Sequence, residues 1–181
     1  MENQPVRYFI LGVMTLTDAR YFTALGVDYL HFDFNPDSLY PITQPAWEAI
    51  VEWVEGSDII CSFDHLFEEE QIRKIIEHSS VAGVLSRFPD MLDYVHRMRP
   101  ELQLFQQVDD VSETDHHLDL AGIIGAGDST IKNHFHLCEG PLEAQSAVKQ
   151  GKKAIAIHPG TEDEVGIKDF EAYDRLIYQE F

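Results

Sequence analysis

Strand-like and helix-like runs alternate from one end of this chain to the other, and that alternation leaves very few folds open. Apolar strand-like runs fall at residues 6–13, 29–34, 59–63, 81–85, 102–108, 121–125, 135–138 and 153–157. Helical spacing of apolar residues falls between most of them, at 17–25, 45–55, 68–78, 91–98, 142–150 and 168–178. Strands separated by helices pair in parallel, because each crossover must return the chain to the same end of the sheet. The expected fold class is α/β, a single (β/α)8 TIM barrel domain over residues 1–181. One or two helices should be shortened or missing in its second half. Ser112-Glu113-Thr114-Asp115 can cap a single turn, and the stretch between 125 and 135 is too short for a full helix. A doubly wound open sheet is the alternative, but no glycine-rich dinucleotide fingerprint follows the first strand.

Charge narrows the ligands. With 13 Lys and Arg against 32 Asp and Glu, the formal charge is −19. Nucleic acid is not an expected partner, because a phosphate backbone needs clustered cations, and an anionic membrane surface is disfavoured for the same reason. No apolar run reaches the ~18 residues of a membrane span, and residues 1–5 lack the basic and apolar pattern of a signal sequence. Cys61 and Cys138 sit in strand-like runs and read as buried thiols of a reducing compartment, so a cytoplasmic location is expected. No cofactor is expected. An anionic ligand would need a local cluster of donors and positive charge to overcome the overall field.

Specific residues then narrow the fold. The first strand and its exit read Phe9-Ile10-Leu11-Gly12-Val13-Met14, the first helix carries Thr17-Asp18-Ala19, and Gly26-Val27-Asp28 leads to Phe32, Phe34, Pro36 and Ser38. In register, this resembles phosphoribosylanthranilate isomerase, whose chains open K-I-C-G-I-T, then E-D-A, then G-A-D-x-x-G-F-x-F-x-P-x-S-x-R. Near the other end, Leu137-Cys138-Glu139-Gly140 is similar to that family's L-S-G-G. Ala154 to Glu162, followed by Gly166-Ile167-Lys168-Asp169, is similar to its A-V-D-V-S-S-G-V-E and G-x-K-D.

The resemblance implies a tryptophan-biosynthetic Amadori rearrangement of aldose to ketose, run by a general base and a general acid. It places the base, a cysteine in the family, at Leu11, and the acid, an aspartate, near Gly125. Neither residue can exchange a proton. The family's arginine after strand two falls at Tyr40, and its strand-four histidine and glycine at Ser86 and Arg87. For the substrate phosphate the resemblance leaves Gly140 and Gly160, whose backbone can approach an anion. Beside them stand Glu139, Pro159 with no N–H, and Glu162-Asp163-Glu164. The expected protein is therefore a diverged member without isomerase chemistry, with a small phosphorylated or polar ligand at the C-terminal mouth of the barrel.

Polar residues in strand-like runs supply alternatives. His31 and Asp33 alternate with Phe32 and Phe34, so the polar pair shares one face. If that face looks inward, Ser62, Asp64, Gln103, Gln107, His136 and His158 join it around the axis. Asp33, Asp64, Asp128 and His158 are candidate acid–base groups, so an active isomerase with reassigned acid and base remains one alternative. His31, Asp33, Asp64 and His158 as the ligands of a metal-dependent enzyme are another. The bland alternative is a hydrogen-bonded polar barrel interior.

Overall fold

Eight parallel strands close on themselves in sequence order: β1 (Arg7–Ile10), β2 (Tyr29–Asp33), β3 (Asp58–Ser62), β4 (Val81–Ser86), β5 (Gln103–Asp110), β6 (Gly122–Ala126), β7 (His134–Cys138) and β8 (Ala154–Ile157). The ring is sealed where Arg7, Phe9 and Ile10 of β1 pair with Ala154, Ala156 and Ile157 of β8. This is the closed (β/α)8 barrel expected from the alternation, and the open sheet is excluded. The computed structural model describes residues 5–63, 67–111, 119–127, 131, 133–160 and 170–179. The helices are α1 (Leu16–Ala24), α2 (Gln44–Val51), α3 (Glu69–Ile76), α4 (Pro89–Met98), α5 (Pro141–Lys149) and α6 (Glu171–Ile177). Among the described residues no helix joins β5 to β6 or β6 to β7, where the chain was expected to be short of room. None of the helices described is long and apolar enough to cross a membrane.

Local chemistry explains where the helices begin. Thr15 caps α1 by accepting the Asp18 N–H at 3.1 Å. Pro45, Pro89 and Pro141 sit in the first turns of α2, α4 and α5, where a missing N–H leaves no intrahelical bond unmade. On α3, Ile72, Ile75 and Ile76 face the barrel, while Glu69 and Glu70 pair with Arg73 and Lys74 one turn on.

Two apolar layers follow from strand alternation. The outer one packs strands against helices and includes Ile10, Leu30, Phe32, Cys61, Val84 and Ile155. The inner one fills the barrel with Phe9, Leu11, Tyr29, Ile60, Leu85, Phe105, Ile124, Phe135 and Ala156. Phe9 anchors it, its ring 5.1 Å from those of both Tyr29 and Phe105. Below these rings, at the N-terminal end, Arg7 lies over the faces of Tyr29 and Phe135 and donates to the Tyr29 hydroxyl. Gln103 donates to Asp58 at 2.7 Å and completes the plug.

Candidate functional site

The same alternation decides which polar residues reach the open, C-terminal end. Tyr29 is inside, so His31 and Asp33 are inside too; Ile60 brings Ser62, Phe105 brings Gln107, and Ala156 brings His158. Leu85 likewise brings Arg87, whose parity is readable from the sequence and which the resemblance marks only as the second residue of a replaced histidine–glycine pair. Two expected members do not join this group. Phe135 and Leu137 take the inner face of β7, so His136 points outward with His134, their rings 6.1 Å apart. Gln103 faces inward but at the opposite end, in the plug. Asp64 lies outside the described residues.

His31, Ser62 and Asp33 form a directional chain of hydrogen bonds. The Gly12 N–H donates to His31 Nδ1 at 3.1 Å. That assignment leaves the ring proton on Nε2, which faces Ser62 Oγ at 2.9 Å. Ser62 in turn donates to Asp33 Oδ1 at 2.7 Å, and the Asn35 N–H donates to the same oxygen at 3.0 Å. Burial pushes the imidazole pKa well below its ordinary value, against the pull of the Asp33 charge. His31 is therefore a neutral internal strut at neutral pH. With both nitrogens engaged it has no lone pair left for a metal. No cluster of three or more His, Cys, Asp or Glu suited to a metal occurs among the described residues.

Tyr40 forms a side wall of this mouth. Gly12, at φ +70°, leaves room for it: a Cβ there would lie 2.7 Å from Tyr40 Cβ. The Tyr40 ring stacks on His158 with centroids 5.1 Å apart. His158 is half-buried, and burial lowers its pKa while Glu139 pulls it back up. A cavity of about 230 Å³ remains, floored by Leu11 and lined by Asp33, Asn35, Tyr40, Arg87, Gln107 and His158. Arg87 brings a positive charge to the cavity and donates to Asp109 at 2.8 Å.

At the positions singled out by the resemblance, Leu11 is 1% exposed and belongs to the inner apolar layer. Gly125 directs its Cβ position at Val108, 2.8 Å away, rather than into the barrel. The next inward residue on β6 is Ala126. Asp128 lies outside the described residues, as do residues 161–169 with Glu162, Asp163 and Glu164. Gly140 is the N-cap of α5, but Glu143 already accepts the preceding Glu139 N–H at 2.8 Å. The sequence reading missed that carboxylate; a glutamate at the third helical position, four residues after Glu139 just ahead of the N-cap, is the signal that could have found it. Gly160 has φ +74° and lies against the Tyr173 hydroxyl. Cys61 and Cys138 are unpaired and buried, and burial raises both thiol pKa values, leaving neither a ready nucleophile.

No protein-family model matches the sequence, and no curated protein does. Solved structures do match in shape. Phosphoribosyl anthranilate isomerase from Thermus thermophilus superposes with a TM-score of 0.73 at 16% identity, over 96% of this chain and 98% of that one. The enzyme from Thermotoga maritima gives 0.74 at 16% identity, over 96% and 99%. A phosphoribosyl anthranilate isomerase in complex with reduced 1-(o-carboxyphenylamino)-1-deoxyribulose 5-phosphate gives 0.74 at 17%, over 95% and 96%. The chain has the fold of these isomerases. At such identities the likeness concerns the fold, and chemistry must be argued from the mouth itself.

Proposed function

We propose that this chain is a diverged barrel of the phosphoribosylanthranilate isomerase type that binds a small polar ligand at its C-terminal mouth without performing the Amadori rearrangement. The observation that carries the proposal is Leu11, buried within the inner apolar layer at the place of the family's base. An aliphatic side chain takes no proton, and general acid–base catalysis is worth about 10²–10⁴ in rate per group. Gly125 and Ala126 offer no acid at the end of β6. Glu143, seated on the N–H before Gly140, adds negative charge where a phosphate would approach. A strain lacking phosphoribosylanthranilate isomerase, supplied with this chain on a plasmid, should fail to grow without tryptophan; robust growth would refute the proposal.

A second reading has one observation in its favour. Asp33 and His158 line the same cavity, so an acid and a base are present, though not at the family's positions. An isomerase using that pair would support growth, and Asp33→Asn would abolish it.

A further inference from the structure

We infer that the mouth cavity takes an uncharged polyhydroxylated ligand, the size of a single pentose or small polyol. This rests on the reading above that the mouth binds a small polar ligand in place of the isomerase substrate.

Size sets the first limit. The cavity of about 230 Å³ is smaller than the roughly 300–1,000 Å³ of sites for drug-sized ligands. A smaller recess of about 110 Å³ adjoins it and shares Asp33, Asn35, Arg87 and Gln107.

The groups left open set the chemistry. Asp33 Oδ1 is taken by Ser62 and the Asn35 N–H, while Oδ2 has no partner among the described residues. The Asn35 oxygen accepts from the Asp37 N–H, which leaves its amide nitrogen open. The Gln107 carboxamide also has no partner among the described residues. Arg87 spends Nη1 on Asp109 and keeps further N–H groups. A carboxylate only accepts, a guanidinium only donates, and a carboxamide does both. The ligand that meets all three must donate and accept from closely spaced atoms, as adjacent hydroxyl groups do. An added phosphate group meets the charge of Asp33, with that of Asp109 behind Arg87, while the hydroxyl groups alone satisfy the site. A cationic group meets the like charge of Arg87. The Tyr40 ring supplies apolar surface for the C–H faces of a sugar.

Ligand-observed saturation-transfer NMR on the intact chain tests this with glycerol, xylitol and D-xylose, and with α-D-xylose 1-phosphate as the charged match to D-xylose. At least one neutral compound should bind saturably with a Kd of order millimolar. The phosphorylated sugar should bind at least about tenfold more weakly than D-xylose at physiological salt. Asp33→Asn should weaken neutral binding about fivefold or more and bring the two affinities closer together. Gln107→Leu, away from the Ser62 network, should weaken it as well, with melting curves confirming that both variants fold. Failure of every neutral compound to bind below about 50 mM would overturn the inference. So would equal or tighter binding of the phosphate ester. Either result alongside absent isomerase turnover would leave the loss of isomerase chemistry standing and only the ligand class wrong, whereas turnover of the isomerase substrate would remove the reading beneath it.

Discussion

The two ends of this barrel treat polar side chains in opposite ways. At the N-terminal end Arg7, Tyr29, Gln103 and Asp58 are joined to one another, and the Arg7 guanidinium covers aromatic faces. At the C-terminal end His31, Ser62 and one oxygen of Asp33 are joined, but Asp33 Oδ2 and Gln107 have no partner among the described residues and face a cavity. A satisfied polar group holds structure, while an open one at a concave surface is available to a ligand. The difference teaches that a polar barrel interior need not be all one thing. Its lower part is a plug and its upper part a candidate site resting on the His31 strut.

That contrast can be broken from below. Phe105→Ala, which opens a cavity among the inner aromatic rings, should cost about 3–5 kcal/mol in urea unfolding. Leu11→Cys should cost about 1–3 kcal/mol through lost apolar volume. It introduces the residue type that the resemblance to the isomerases places beneath Tyr40, yet without an acid at Gly125 or Ala126 it should not confer turnover. Arg7→Ala should cost about 1–2 kcal/mol from lost ring contact and hydrogen bonding, lowering the melting temperature by a few degrees. Ligand binding at the mouth should be unchanged by it. Weakened binding in Arg7→Ala would show that the two ends are coupled.

Acid sharpens the contrast from above. The folded pKa of His31 lies below the unfolded value, so between the two the unfolded chain binds more protons. Stability should therefore be lost as pH falls from about 6.5 toward the depressed folded pKa. Unfolding free energies measured at pH 7.5 and 4.5 should differ less in His31→Gln than in the wild type. An identical difference in both would mean that His31 does not carry the effect. The smallest expected change is at α5, where Glu143→Gln should raise affinity for inorganic phosphate severalfold by removing a carboxylate from beside Gly140.

The barrel was legible because its signal is repeated: each strand, helix and turn reports the same architecture, and the absence of a helix after β5 and after β6 among the described residues matches the short length of those stretches. The inward set was half legible. Alternation put His31 and Asp33 on one face, and the place of Tyr29 in the inner layer decides that this face looks inward. It failed at His136, because the run His134-Phe135-His136-Leu137 offers both parities and only packing against Phe9 and Phe105 selects Phe135 for the interior. Tyr40 read as a lost arginine, while its contact with Gly12 and His158 depends on a loop path that no local pattern encodes. Arg87 is hard to read because the resemblance casts its position as a replaced glycine, which says nothing of the guanidinium's own chemistry.

The most direct test of the central claim is turnover of 5′-phosphoribosylanthranilate by the purified protein, followed by the loss of substrate fluorescence. The expected result is a rate no greater than the uncatalysed one at any protein concentration. A saturable rate that rises with protein and disappears in Asp33→Asn would contradict the account, and would mean that the mouth beneath Tyr40 still runs the rearrangement.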